Sequence, residues 1–446
     1  MIKSRLLLCL DILYLLLLAG YIFAGMMLAT FHGDEAMHIY MSKDFTTAFI
    51  EKDPLSLMTE PPYVYDSDRK QRIMNGSVTL YSIGLIAYFM ELTIKDLPRA
   101  PGWNWALRYQ PNVDAGHLPS SKLLVIGRIP STFYLALSAI VLFLIGKQLT
   151  GRFLAYSASL LFVLNPIILL NGRRAMTEGA NLCFGLLIIL LAIIIAKKQQ
   201  LKEPILKRWW LAFILVGALA LASKHTAVIF IIAALFWIFV ADLLSLPWRR
   251  LFISSAKLAG CGLAILLLFI IFSPALWNNP PERILNLIST RQQMVASQVQ
   301  QQAKAGINSA ANRLENIFKQ PYIAEAIHFE VPHYGANETI IWQIKNYLAS
   351  PYCGVQWGTG MGYPLTALAI IGLFVLFLPR FRPENLSRLN VYGLLGWLGP
   401  TGLVLLFTPL TWQRYYMILI PPTVLLTGIG LIAVSKLLLG LMVRGC

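Results

Sequence analysis

Long apolar runs alternate with short polar connections along most of the chain. Each run is close to the roughly 20 residues that a helix needs to cross a bilayer. The runs lie at about 6–31, 123–146, 153–171, 179–196, 209–223, 226–246, 257–274, 363–379, 390–409 and 415–439. This pattern predicts an all-α polytopic membrane protein with about ten transmembrane helices.

The composition supports that prediction. Residues of the AVILMFWYC set make up 57% of the chain and charged residues only 13%, with a mean hydropathy of +0.64. Soluble domains are about half apolar and about a quarter charged. The net charge of +16 fits the enrichment of Lys and Arg in cytoplasmic loops of membrane proteins. We therefore expect a membrane-lipid environment and no nucleic-acid partner.

The basic residues predict an orientation, because those in alternate connections fall on the same side as the N-terminus. They are Lys3, Arg5, Lys147, Arg152, Lys197, Lys198, Lys202, Lys207, Arg208, Arg249, Arg250, Arg380, Arg382, Arg388, Lys436 and Arg444. The positive-inside rule then places both termini in the cytoplasm.

Two long polar segments lie on the opposite, extracytoplasmic side. The predicted organisation is a first transmembrane helix in 1–31, a first outer loop with an acidic motif and surface helices in 32–120, transmembrane helices 2–7 in 121–274, a second outer loop of mostly surface helices in 275–362, and transmembrane helices 8–10 in 363–446. The apolar stretch Val78 to Leu92 is too short to span, so we expect a juxtamembrane helix there.

Charged residues cluster at the predicted outer ends of the spans, where a charge is costly and indicates function. They are Asp34, Glu35, Arg128, Arg173, Arg174, Glu178, Lys224, His225 and Arg414. Structural alternatives exist: Asp34 and Glu35 also suit a helix end that meets water, and Arg173 and Arg174 suit snorkelling to head groups. Together the charges favour a pocket that holds an anionic lipid head group beside a proton-transfer site.

A metal site is an open alternative. All six histidines fall on the predicted outer side, and His32 or His38 with His225 and a carboxylate would supply ligand atoms for a divalent metal. Their spacing matches no known ligand motif. No metal ligand is therefore assigned.

Six motifs occur in one order along the chain. They are Asp34-Glu35; Arg128-Ile129-Pro130-Ser131; Asn165-Pro166 followed by Gly172-Arg173 through Glu178; Ser223-Lys224-His225-Thr226; Pro274 through Trp277 to Pro280; and Arg414-Tyr415 through Pro421-Pro422. In this order they resemble the GT-C fold glycosyltransferases, above all the protein O-mannosyltransferase and aminoarabinose-transferase superfamily. Two departures are Glu178 where Asp is usual, and Arg72 in place of a Lys-Pro-Pro or His-Pro-Pro element.

The resemblance implies a cell-envelope enzyme that moves a hexose or pentose from a polyprenyl-phosphate carrier to an acceptor protein, glycan or lipid. Transfer would occur on the extracytoplasmic side with inversion. Asp34 would be the general base, with Glu35 and Glu178 as the other catalytic acids, orienting acceptor or cations. The donor phosphate would contact Lys224, Arg128, Arg174, Arg173, Arg72 and Arg414, and the substrate His225, Trp277 and Tyr415.

Two other classes of protein remain as alternatives. A lipid or sugar transporter or flippase would place charges at the bilayer midplane and break its helices in symmetric pairs. A noncatalytic GT-C-like subunit would share the fold without the reaction. The charges at outer span ends and the two large outer segments favour the enzyme.

Overall fold

The computed structural model describes residues 2–64, 67–302, 305–331, 334 and 336–444. Its helices in the first half are α1 Ile2–Ala24, α2 Gly33–Met41, α3 Asp68–Met74, α4 Ser77–Phe89, α5 Tyr109–Asp114, α6 Ser121–Leu149, α7 Arg152–Val163, α8 Pro166–Arg173 and α9 Glu178–Gln200. Those in the second half are α10 Lys207–Ser223, α11 Val228–Ser245, α12 Trp248–Ile271, α13 Pro280–Gln301, α14 Ala310–Lys319, α15 Glu338–Ala349, α16 Gly358–Phe377, α17 Arg388–Phe407 and α18 Ile420–Arg444. The all-α prediction is confirmed.

The described transmembrane helices differ from the predicted ten spans in two places. Within the described ranges, eight helical segments are long and apolar enough to cross a membrane, and α7 with α8, bent by 64° at their break, makes a ninth if the pair is one span. The remaining predicted span, α10, has 17 residues, or about 25 Å at 1.5 Å per residue. It is therefore shorter than the roughly 30 Å hydrocarbon core of a typical bilayer.

The bend between α7 and α8 has a local cause in the sequence Asn165-Pro166. Pro166 has no backbone N–H and disfavours helical geometry at the residue before it. The Asn165 side chain then accepts hydrogen bonds from the backbone N–H groups of Ile167 and Ile168, at 3.0 and 3.2 Å, and so begins α8 as its N-cap. All of α8 is buried, which directs the chain that follows into the protein.

The two segments predicted to be extracytoplasmic, 32–120 and 275–362, are called the outer segments below. They contain α2 to α5 and α13 to α15. Helix α4 has 13 residues, or about 20 Å at 1.5 Å per residue, so it is too short to cross the membrane, as predicted. Its Ser82 hydroxyl lies 2.8 Å from the Tyr134 hydroxyl of α6. The outer segments thus pack directly on the transmembrane helices at one end of the bundle.

Two glycines allow α16 and α18 to pack closely. A Cβ at Gly372 would lie 2.0 Å from the carbonyl oxygen of Leu426, and a Cβ at Gly430 would lie 2.0 Å from that of Leu368. Small residues at such crossings let helix backbones approach within membranes.

We expect Gly372→Ala to destabilise the protein by about 1–3 kcal/mol, because the two backbones must move apart. A Cβ at Gly360, in the same helix, would have no heavy atom within 4 Å. Gly360→Ala is therefore the matched control and should be neutral or slightly stabilising, since Ala favours helix over Gly. Thermal unfolding of the detergent-solubilised variants measures both, and equal midpoints would contradict the close-packing account.

Candidate active site

The ends of the transmembrane helices and both outer segments surround one large cavity of 1030 Å³. This volume is at the upper end of the usual range for small-molecule sites, about 300–1,000 Å³. Its charged lining residues are the acids Asp34, Glu178 and Glu330 and the cations Lys70, Lys224, Arg291 and Arg414. Four cations against three carboxylates leave a positive excess among the described residues, which favours an anionic ligand.

The twelve site residues predicted from the sequence fall into two groups. Those that line the cavity are Asp34, Glu178, Lys224, His225, Arg414 and Tyr415. Those that do not are Glu35, Arg72, Arg128, Arg173, Arg174 and Trp277. The structure thus brings charges from four distant parts of the chain to one cavity and places the second group outside its lining.

Asp34 reaches the cavity because of the way α2 begins. His32 is the N-cap: its side chain accepts from the Asp34 backbone N–H at 3.2 Å, and Glu35 at the third helical position accepts from the His32 N–H at 3.0 Å. A Cβ at Gly33 would lie 2.3 Å from the Trp103 ring. This capping box directs Glu35 into the protein and leaves Asp34 on the cavity wall.

An ion-pair chain holds Asp34 in place. Arg414 donates to the Asp34 carboxylate through Nη1 and to Glu330 Oε1 through Nε at 3.0 Å. Glu330 Oε2 lies 2.8 Å from His32 Nε2. Burial raises the pKa of Asp34, but the charges of Arg414, His32 and His38 outweigh it and lower that pKa below its ordinary value. Asp34 is therefore ionised, in its proton-accepting form, at neutral pH.

Glu330 is a site residue that the sequence analysis missed. It lies outside the predicted spans, in a segment of mixed apolar and polar residues, so no long apolar run singles out its charge. Burial raises the pKa of Glu330, but the charges of Arg414 and His32 lower it further than burial raises it. Glu330 therefore remains a carboxylate and neutralises part of the charge of Arg414.

Glu178 and Lys224 form a second ion pair on the cavity wall. Lys224 Nζ lies 2.7 Å from Glu178 Oε1. No acidic residue is close to Lys224 in the sequence, and the start of α9 supplies its partner. Glu178 Oε2 and His38 Nε2 are buried and have no hydrogen-bond partner among the described residues. Since the ring of His38 uses Nδ1 against the Asp34 carbonyl oxygen at 2.6 Å, its Nε2 is free for a ligand.

Arg128 and Glu35 form a buried ion pair outside the cavity lining. The Arg128 guanidinium contacts both Glu35 oxygens, at 2.7 and 2.8 Å, and donates to the Met26 carbonyl at 3.0 Å. The Ala175 N–H also donates to Glu35, at 2.9 Å. The side chains are 1% and 0% exposed. Neither side chain lines the cavity, so the pair connects α2 to α6, and the phosphate role of Arg128 and the catalytic role of Glu35 stay predictions.

Arg173 and Arg174 bind backbone carbonyls, not the cavity. Arg173 donates to Ile22 and Tyr21 of α1, each at 2.8 Å. Arg174 donates to Thr30 at 3.0 Å and to His328 at 2.7 Å. Because the last carbonyls of a helix lack partners within it, these arginines satisfy the end of α1 and the segment after it. Neither arginine lines the cavity, and their contact with the donor phosphate stays a prediction.

Arg72 and Trp277 also face away from the cavity. Arg72 makes two 2.8 Å contacts with the Asp44 carboxylate. The indole N–H of Trp277 donates to the Ile270 carbonyl near the end of α12, at 2.8 Å. Arg72 thus holds α3 to Asp44 within the first outer segment, and Trp277 holds the start of the second outer segment to the end of α12. The phosphate contact of Arg72 and the substrate contact of Trp277 stay predictions.

Arg291 is a second residue that the sequence analysis missed. It lies on α13 and faces the cavity, with its guanidinium carbon 5.9 Å from the centre of the Tyr415 ring. Within the described ranges it has no carboxylate within ion-pair distance. In the sequence it was one basic residue in a Gln-rich surface helix, which is ordinarily a solvated position.

The alternative metal site is not supported by the geometry. No three His, Cys, Asp or Glu side chains of the described residues are arranged to hold a metal ion. His32 Nε2 is bound to Glu330, and His225 packs against the Phe269 ring at 5.9 Å. His333 lies outside the described residues.

Comparison with known proteins supports the fold predicted from the motifs. The family described as dolichyl-phosphate-mannose-protein mannosyltransferase matches residues 120–277. A search of curated protein sequences finds no significant match.

Two solved structures are similar over nearly the whole chain. ArnT from Cupriavidus metallidurans, bound to undecaprenyl phosphate, has 12% identity and a TM-score of 0.51, over 97% of this chain and 63% of that one. The archaeal oligosaccharyltransferase AglB from Archaeoglobus fulgidus, in complex with an inhibitory peptide and a dolichol-phosphate, has 11% identity and a TM-score of 0.52, over 98% and 51%. The chain thus has the GT-C fold and spans between half and two thirds of the length of these relatives.

Proposed function

We propose that this protein is a glycosyltransferase that moves a sugar from a polyprenyl-phosphate carrier to an acceptor hydroxyl. The observation that carries the proposal is the ionised carboxylate of Asp34 in a cavity that also presents Lys224 and Arg291. A base for the acceptor and cations for a phosphate are the two groups that this reaction needs. The GT-C fold, and the polyprenyl phosphates bound to two proteins that share it, support the same reaction.

The reaction balances with the residues available. Asp34 accepts the proton of the acceptor hydroxyl, whose oxygen attacks the anomeric carbon of the sugar. The bond between that carbon and the phosphate oxygen breaks, and the polyprenyl phosphate leaves with the electron pair. Attack from the side opposite the phosphate inverts the anomeric configuration. A phosphate leaving group is a stable anion, so no general acid is required.

The cations of the cavity have different capacities to hold that phosphate. Arg414 already serves Asp34 and Glu330, and Lys224 is shared with Glu178. Arg291 has no described carboxylate beside it, so its charge is available for the ligand in full. Arg291 is therefore the main phosphate ligand, with Lys224 and His225 beside it, and positive charge near the leaving oxygen stabilises the transition state.

The proposed orientation follows from the charges at the two ends of the bundle. The cavity lies at the end opposite the basic connections, so it opens on the extracytoplasmic face, with both termini in the cytoplasm. The carrier is a membrane lipid, and its chain leaves the cavity towards the bilayer. Acceptor protein, glycan and lipid all offer the required hydroxyl.

We expect Arg291→Gln to weaken binding of undecaprenyl phosphate about tenfold or more, the scale of a charge-assisted hydrogen bond. Arg69→Gln, at an exposed position of α3 outside the cavity, is the matched control and should bind as the wild type does. Affinity is measured on the full-length protein in lipid nanodiscs. A wild-type protein that fails to bind the lipid would contradict the proposed function, and equal affinities for both variants would contradict the role of Arg291.

A further inference from the structure

The cavity wall formed by α13 is unusually rich in side-chain amides. Asn286, Gln293, Gln298, Gln301 and Gln302 all line it, on or directly after one helix. The proposed proton transfer and phosphate binding use none of them. An amide offers both a donor and an acceptor but no charge.

Three of these amides are left without partners. Asn286 Nδ2, Gln298 Oε1 and Gln302 Oε1 are buried and make no hydrogen bond within the described residues. A buried polar atom without a hydrogen-bond partner costs about 1–3 kcal/mol of folding free energy. Such atoms are therefore rare in native structures. A molecule bound in the cavity would complete the hydrogen bonds of these three atoms.

The helix geometry relates these amides to the phosphate cation. At about 100° per residue, Arg291 and Gln298 fall within about 20° of one another around α13. At 1.5 Å per residue, Gln298 lies about 10 Å along the helix from Arg291, and Gln302 follows directly after the last residue of α13. Arg291, Gln298 and Gln302 thus form a stripe on the cavity wall that begins at the cation and extends over the length of more than one sugar ring.

We propose that this stripe binds the hydroxyl groups of an uncharged sugar moiety, in a subsite that rests on the proposed function. A hydroxyl both donates and accepts, so it pairs with an amide in either orientation. A carboxylated or amino sugar would instead require a charged partner, and the stripe contains none beyond Arg291. The same chemistry fits the sugar of the donor and a glycan acceptor, and binding experiments distinguish them.

The test compares two double variants of the same helix region in the full-length protein. Gln298→Ala with Gln302→Ala removes the stripe, whereas Gln292→Ala with Gln300→Ala removes two exposed glutamines outside the cavity. Three probes are titrated: undecaprenyl phosphate, undecaprenyl phosphoryl mannose, and mannotriose with undecaprenyl phosphate present. The helix-favouring effect of Ala is similar in both variants, so any difference between them reports on the cavity.

We expect the stripe variant to weaken one of the two sugar-bearing probes roughly fivefold or more, since two neutral hydrogen bonds are lost. Binding of undecaprenyl phosphate alone should stay unchanged. Loss with the lipid-linked mannose assigns the stripe to the donor, and loss with mannotriose assigns it to the acceptor. Identical affinities of the stripe and control variants for all three probes would overturn the subsite. A wild type that binds no undecaprenyl phosphate would contradict the proposed function and the subsite with it.

Discussion

Asp34→Asn is expected to lower sugar transfer by roughly 10²-fold or more, the scale of a lost general base, while donor binding is retained. The amide keeps the volume of the side chain but cannot accept the proton of the acceptor hydroxyl. Arg414 keeps Glu330 as its partner in this variant, so the cavity wall is not left with an uncompensated cation. The measurement is the rate of transfer by the purified variant with a polyprenyl-phosphate sugar.

The control for this experiment is Glu51→Gln, which removes a carboxylate that is exposed and outside the cavity. It should transfer sugar at the wild-type rate. Retained turnover in Asp34→Asn would assign the base to Glu178, another acid on the cavity wall. Loss of donor binding in that variant would instead make Asp34 a structural residue.

The second large effect concerns stability. Arg128→Met leaves Glu35, which is completely buried, without its charged partner. Removing one member of a buried ion pair costs about 3–5 kcal/mol, so we expect a strongly lowered thermal midpoint. Glu35→Gln combined with Arg128→Met should recover part of that loss, because the uncompensated charge is removed. Thermal unfolding in detergent measures all three proteins.

Two comparisons make this prediction specific. Lys319→Ala breaks an exposed ion pair with Glu315, in which both side chains are about half exposed, and should leave the midpoint unchanged. Arg128→Met with a normal midpoint and lost donor binding would contradict a structural role for this ion pair and support the role in phosphate binding that the position of Arg128 in the sequence suggests. The outcome therefore separates a structural arginine from a substrate-binding one.

Sequence periodicity was sufficient to locate the site but not to assign each charge within it. The apolar runs define where each span ends. Because every second connection lies on the same side of the membrane, the charges at those ends come close together. Which partner each charge finds depends on tertiary packing. The bend at Asn165-Pro166 carries Arg173 to the end of α1, where carbonyls without helical partners bind it. Nothing in the local sequence of Arg173 distinguishes that outcome from a ligand contact.

The two cavity residues that the sequence analysis did not identify, Glu330 and Arg291, were missed for a different reason. Glu330 and Arg291 lie in the second outer segment, outside the long apolar runs, so neither charge interrupts a predicted span. Their importance arises only when the outer segments fold over the bundle and place them opposite Arg414 and Tyr415. A charge at the end of an apolar run can be recognised from the sequence, whereas the role of a charge outside such runs becomes visible only in the folded structure.

Release of undecaprenyl phosphate distinguishes a transferase from a protein that only binds the lipid-linked sugar. Purified wild type, Asp34→Asn and Arg291→Gln are incubated with a panel of undecaprenyl-phosphate-linked sugars and a heat-inactivated cell-envelope extract as the acceptor source. We expect the wild type to release undecaprenyl phosphate from at least one of these donors, with an inverted product, and Asp34→Asn to bind the same donor without release. Wild-type protein that binds the donors but returns all of them intact would contradict the proposed transfer reaction.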